Sequence, residues 1–170
     1  MELKIIETKS YLVLFFVLAF APFITGTALF YKFKTVNNIV FWGILAFVIF
    51  VFIIIVFFML QRKIEIADRK LIIKSTFYSK TVDLSEVTAI EKIICKSKAD
   101  QIGLRTNGIG LPGFRSGWFI MKGHGRIFVD LVGGDYLLIF VNKNPQLALE
   151  FVDNTTAHQI LNSFINKGEK

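Results

Sequence analysis

From Ser10 to Tyr31, and again from Thr35 to Gln61, the chain carries no charged residue. The apolar parts of these stretches run from Tyr11 to Phe30 and from Ile39 to Leu60, 20 and 22 residues. An α-helix rises about 1.5 Å per residue, so about 20 residues cross a hydrocarbon core of about 30 Å. The pattern therefore predicts two membrane helices, over about 11–31 and 39–60. Two buried helices in a soluble core would need a larger domain around them than the rest of this 170-residue chain supplies. A cleaved signal peptide is another reading of the first span, with Lys4 and Lys9 as its basic start and Gly26-Thr27-Ala28 as a small-residue cleavage site. However, 20 apolar residues exceed the usual apolar region of about 7–15, and a second span follows at once. An uncleaved helical hairpin is the expectation.

Beyond Leu60 the pattern changes from continuous to alternating. Lys63–Ile66 and Lys70–Lys74 read as short strands around a turn at Ala67-Asp68-Arg69. Further strand-like runs lie at Lys80–Leu84, Thr88–Cys95, Gly117–Met121, Arg126–Val132, Tyr136–Val141 and Leu147–Phe151. Gly123-His124-Gly125, Gly133-Gly134-Asp135 and Asn142-Lys143-Asn144-Pro145 supply turn chemistry between the later ones. Seven or eight short strands at hairpin spacing predict a sandwich or open barrel. The chain then closes with one helix, over about 154–167, because Ala157, Ile160, Leu161, Phe164 and Ile165 form a single apolar stripe. Asp153 or Asn154 supplies its N-cap, and that role outweighs the glycosylation sequon Asn154-Thr155-Thr156. The expected division is a transmembrane hairpin over 1–61 and an all-β domain with a C-terminal helix over 62–170.

Composition and charge sharpen the division. Twelve of the nineteen phenylalanines precede residue 60, so the aromatic excess belongs to the spans. The short connection carries Lys32 and Lys34, whereas Lys4, Lys9, Arg62, Lys63, Arg69, Lys70, Lys74 and Lys80 flank the other ends. Under the positive-inside rule, this places both termini and the β domain in the cytoplasm, with the hairpin in the inner membrane. The single Cys95 cannot pair within the chain, which suits a reducing compartment. Tyr31 and Trp42 fall near the expected outer interface, where amphipathic rings are favoured. Neither span holds an ionisable residue, so there is no proton or ion pathway and a transporter is not expected. Pro22 is expected to kink the first helix, and Thr25, Gly26 and Thr27 to permit close helix packing.

The order of strands and a terminal helix, from Lys63 to Lys167, resembles the pleckstrin-homology-like fold, and more narrowly the bacterial PH domains that follow one or two membrane helices. The resemblance is carried by the opening hairpin Ile64–Lys74, by Thr81-Val82-Asp83-Leu84-Ser85-Glu86-Val87, and by Gly110-Leu111-Pro112-Gly113-Phe114-Arg115-Ser116-Gly117-Trp118-Phe119 followed by Gly125–Val129. It implies a binding or assembly domain rather than a catalyst. Phosphoinositide-binding members use basic residues on a longer first loop. The loop here is only about Asp68-Arg69, so that lipid specificity does not transfer.

Several motifs dissolve when their chemistry is considered. Gly108-Ile109-Gly110-Leu111-Pro112-Gly113 matches G-x-G-x-x-G, but dinucleotide binding needs a helix after the glycines, and Pro112 with a following strand denies it. A glycine-rich loop with positive φ is the better account. His124 and His158 lie 34 residues apart, with Cys95 as the only further soft ligand, so no metal spacing is present and no cofactor is expected. Asp83, Glu86, Asp130 and Asp135 are scattered, and no nucleophilic triad can be assembled from spacing. Trp118 reads as core or rim packing.

Two basic sets remain. Residues 62–126 hold 13 basic and 6 acidic side chains, and the tether between the second span and the first strand is only Gln61-Arg62. Arg62, Lys63, Arg69 and Lys70 are therefore candidates for contact with an anionic leaflet, each worth about 1 kcal/mol before screening. Arg105, Arg115, Lys122 and Arg126, interleaved with glycines, are candidates for an anion or partner site. The alternative for that set is a solvated, turn-rich connection whose charges protect strand edges. Expected partners are the lipid bilayer and a protein or a second copy of the chain; nucleic acid is not expected. A membrane-tethered sensor of anionic headgroups or small anions is the alternative function. A small membrane enzyme would require the carboxylates and His124 to meet in one pocket.

Overall fold

The computed structural model describes residues 2–3, 6, 8–33, 38–94 and 102–166. Cys95 lies outside them, as does the Lys34 end of the interhelical connection. The N-terminal run is helical from Thr8 to Phe33 in three pieces: α1 (Thr8–Phe15), a π-helical segment (Phe16–Phe20) and α2 (Ala21–Phe33). The wide turn has a local cause. Pro22 has no N–H to donate to the carbonyl four residues earlier, so the ladder loosens just before it. Thr25 and Thr27 direct their hydroxyls back to Ala21 O and Phe23 O of the same helix. Helix α3 (Asn38–Leu60) packs against the π-helical segment. Among the described residues, α3 is the one helix long and apolar enough to cross a membrane, over Trp42–Leu60.

Nine strands follow among the described residues. β1 (Lys63–Ala67), β2 (Lys70–Ser75) and β3 (Tyr78–Asp83) form an antiparallel three-stranded sheet. β4 (Val87–Ile93), β5 (Ile102–Leu111), β6 (Phe114–Met121), β7 (Gly125–Leu131), β8 (Tyr136–Val141) and β9 (Asn144–Leu149) form a second sheet, in the order β4-β8-β9-β7-β6-β5. Among the described strands only the β7–β9 pairing is parallel. Helix α4 (Asn154–Asn166) packs on β4, β8 and the 3-10 turn Leu84–Glu86. The domain is thus all-β with one C-terminal helix.

Turn chemistry sets the register. Asp68-Arg69 and Asn142-Lys143 are two-residue connections with φ of 51° and 59°, and 51° and 65°. Two positive φ values in succession match the right-handed twist of the flanking strands. Asp153 caps α4: its Oδ1 accepts from Thr155 N (2.8 Å) and Thr156 N (3.1 Å). These bonds hold the Asp153 carboxyl below its ordinary pKa, the Thr156 hydroxyl contributing most. Asn154 is occupied otherwise, accepting from Phe151 N and donating to Asp135 O (2.6 Å).

The stretch read as a glycine-rich loop is instead strand β5 and its turn. Gly108 and Gly110 lie in β5, and of the three glycines in the apparent nucleotide motif only Gly113 has positive φ, 77°. Pro112-Gly113 closes the β5–β6 hairpin between the paired Leu111 and Phe114, the sequence a type II turn requires. The other glycines permit close strand approach. Gly108 faces Gly117, and a Cβ on Gly117 would lie 2.7 Å from Asn107 O and Gly108 Cα.

The main core fills the space between the sheets. Leu71, Ile73 and Val82 of the small sheet meet Phe128, Leu137, Ile139, Leu147 and Leu149 of the large one, with Ala157 and Leu161 of α4. The opposite face of the large sheet carries a second apolar cluster that includes Phe119, Ile127, Val129 and Leu138. A third joins the helices to the β domain: Ile6, Leu14 and Met59 with Phe114 and Val132. Residues before α1 also reach the β domain, since Leu3 bridges Phe151 and Val152 N donates to Glu2 O (3.1 Å).

Candidate functional site

The most unusual chemistry lies where α3 ends. Gln61 N donates to Phe58 O, closing the last turn, and the next residue points inward. Arg62 makes a two-pronged pair with Asp130 of β7: Nε donates to Oδ2 (3.1 Å), and Nη2 contacts Oδ1. The Asp130 side chain is fully buried and that of Arg62 is 6% exposed. Ser75 of β2 also donates to Asp130 Oδ2, and Ser116 of β6 lies 2.7 Å from Ser75 Oγ and 2.8 Å from Thr76 Oγ1. The guanidinium carbon sits 5.1 Å from the Phe114 ring centroid. A buried carboxylate is tolerated only when its lone pairs are satisfied and its charge is met. Here one arginine and one serine do both, tying α3 to strands of both sheets.

Apolar contacts reinforce this junction. Phe77, in the β2–β3 turn, packs against Phe58 of α3 with ring centroids 4.6 Å apart and planes inclined at 43°. Ile109 and Leu111 of β5 pack around the cluster of Leu14, Met59 and Phe114.

The four residues expected on the leaflet do not share one surface. Arg62 is turned into the protein, because Asp130 offers a buried countercharge within its reach. Lys63 is exposed and paired with Glu65, a contact that lowers the Glu65 pKa. Arg69 and Lys70 occupy the far turn of the β1–β2 hairpin, five strand residues from the α3 end, roughly 15 Å. Lys70 is in register with Asp83, and Arg69 O accepts from Leu84 N (2.8 Å). The Asp83 carboxyl is held below its ordinary range by the Ser85 hydroxyl and amide, with smaller help from Lys70 and Arg69.

Arg105, Arg115, Lys122 and Arg126 are likewise divided. Arg115 lines a cleft of about 190 Å³ with Leu111, Pro112, Gly133, Gly134 and Tyr136, and donates to Ile102 O (3.1 Å). Glu150 shapes the cleft wall by accepting from Val132 N (2.7 Å) and Gly134 N (3.0 Å). Arg126 lies on another surface, 4.6 Å from the Trp118 ring centroid, with Lys80 Nζ 5.5 Å from the same centroid. Trp118 is half-buried at the core rim, edge-on to Phe128. Arg105 is exposed on β5, and Lys122 is exposed in the β6–β7 turn.

The carboxylates and His124 do not converge. His124 is exposed in the β6–β7 turn, Asp83 caps the 3-10 turn, and Asp130 and Glu150 hold backbone or side-chain donors in place. His158 Nε2 donates to Ile90 O (3.2 Å), which fastens α4 to β4. Among the described residues no group of three His, Cys, Asp or Glu could hold a metal ion.

Sequence reasoning missed Ser75, Ser116 and the pairing of Arg62 with Asp130. A signal was present: Asp130 interrupts an otherwise apolar strand run, and a lone carboxylate there demands a cationic partner.

Residues 62–131 match the bacterial PH domain family. The matched segment runs from Arg62 through the end of β7, so it contains all of Arg62, Ser75, Thr76, Ser116 and Asp130. The match supports a bacterial PH-like domain over the first seven strands; β8, β9 and α4 lie beyond it. No curated protein and no solved structure matches the chain.

Proposed function

We propose that this chain is a membrane-anchored, non-catalytic binding or assembly module. In this reading, residues 1–61 form a two-span hairpin in the inner membrane and residues 62–170 a cytoplasmic PH-like domain. One observation carries it: over Trp42–Leu60 only Met59 is buried and large apolar side chains such as Trp42, Phe47 and Phe50 are exposed, yet the last turn of α3 is tied to the β domain through the buried Arg62–Asp130 pair. A surface of that kind is unfavourable in water and ordinary in lipid. The bridge from Leu3 to Phe151 further supports a hairpin, because it puts the start of the first helix beside the domain that follows the second. The contacts at this junction also suit an assembly role, since they link a partner docked on the β domain to the helices. Reporter fusions at Lys170 test the orientation, and a periplasmic signal there would overturn it. Crosslinking in native membranes, followed by partner identification, tests assembly with another protein or a second copy.

A second reading, a sensor of anionic headgroups or small anions, rests on Arg115 in its cleft. Arg115→Gln should then abolish binding to anionic vesicles while Arg126→Gln, on the Trp118 surface, leaves it intact.

A further inference from the structure

We infer that the tip of the β5–β6 hairpin is a third membrane-contacting element, resting in the lipid interface beside the two helices. The inference builds on the membrane-anchored reading above. Among the described residues, the five hairpins of the β domain differ sharply at their turns. Asp68-Arg69, Lys122-Gly123-His124 and Asn142-Lys143 each carry a cation or a full charge pair. Thr76-Phe77 and Pro112-Gly113 carry no charge, and each has an apolar residue in it or beside it packed against the helices. Phe77 meets Phe58 directly. The β5–β6 hairpin instead contributes Phe114, Ile109 and Leu111 to the cluster built on Leu14 and Met59, while Pro112 and Gly113 remain exposed.

The uncharged stretch is long. From Thr106 to Phe114 there are nine residues without an ionisable group, bracketed by Arg105 and Arg115. That arrangement places apolar residues at the end of the hairpin and cations behind it, the order a leaflet presents from acyl chain to phosphate. Backbone cost is also low there. The Leu111–Phe114 pair closes the hairpin, and Pro112 has no N–H to leave unsatisfied. Depth follows from the neighbours. Leu14 lies three residues into the first apolar run and Met59 one residue from the end of α3, so the tip enters by no more than about one helical turn, roughly 5 Å. Its occupant is the lipid of the leaflet that already surrounds those helix ends.

The test uses the full chain reconstituted in lipid vesicles, with Cys95→Ser as background and single cysteines carrying an environment-sensitive fluorophore. Pro112→Cys reports the tip, Phe47→Cys the exposed middle of α3, and Lys143→Cys a distant turn. Lipid-borne nitroxides should quench the labels at 47 and 112, and aqueous iodide should quench 143 at least several-fold more strongly than 112. Gly110→Cys, where an added side chain meets only the Arg105 Cδ at 3.9 Å, repeats the tip measurement if the proline variant does not fold. A label at 47 that is open to iodide overturns the membrane reading itself. A lipid-buried label at 47 with 112 and 110 as accessible as 143 overturns the tip contact alone.

Discussion

Phe47 in α3 is 66% exposed, and Phe128 in β7 is fully buried. The same side chain is thus turned outward in one region and inward in the other. Along α3, Ile44, Phe50, Ile53 and Phe57 repeat the first pattern; in the sheets, Leu71, Ile73, Leu137 and Ile139 repeat the second. Polar groups follow the inverse rule. The helices hold theirs by bonding back to their own carbonyls, as Thr25 and Thr27 do, whereas the β domain buries Asp130 and satisfies it from strand β2 and the helix terminus. The difference teaches that the chain keeps two opposite burial patterns, apolar side chains outward in α3 and inward in the sheets. Arg62 marks the boundary, the first charged residue after the apolar run and the one drawn into the protein.

The strongest way to break the comparison is at that boundary. Arg62→Met leaves Asp130 buried without its countercharge and should destabilise the β domain by about 3–5 kcal/mol in denaturant titration. Adding Asp130→Leu should restore most of the loss, since a matched apolar pair removes the desolvation penalty with the charge. Next, Leu137→Ala in the core should cost about 2–5 kcal/mol, while Phe47→Ala leaves the unfolding midpoint of the β domain unchanged. Equal effects would mean that the two regions are not separately solvated. A charge in the helix sharpens the same point: Phe47→Asp should disfavour insertion by about 3 kcal/mol, read as loss of the protein from the membrane fraction. Gly117→Ala tests the close approach of β5 and β6, and its φ of 111° and crowded Cβ position predict a loss of about 1–3 kcal/mol.

The smallest effect is expected at the far end, where Asp153 caps α4. Its carboxyl pKa is lowered in the folded state, so its contribution is complete above the ordinary carboxylate pKa and disappears as pH falls through the lowered value. Asp153→Ala should therefore lower the melting temperature slightly near neutrality, with the gap from wild type closing in acid.

Much of this architecture was legible from local pattern. The apolar runs, the Asp68-Arg69 and Asn142-Lys143 turns, and the stripe of α4 each depend on residues close in sequence. Strand β5 was not legible. Its glycines resemble a loop until Gly117, across the ladder, supplies the reason for Gly108. The two basic sets were likewise grouped by nearness along the chain, and the fold scattered both. Arg69 and Lys70 left the α3 terminus because a strand carries them away, and Arg126 left Arg115 because it stacks on Trp118.

The sequence by itself determined which segments are uniformly apolar, which alternate, and where the chain must turn, because hydrophobic period and backbone preference act over a few residues. Only the tertiary structure decided that Arg62 faces Asp130, that two uncharged turns gather at the helix ends, and that the remaining cations fall on separate surfaces. Those outcomes depend on strand register and sheet order, which bring together residues as far apart as 62 and 130, and no local pattern encodes such a meeting.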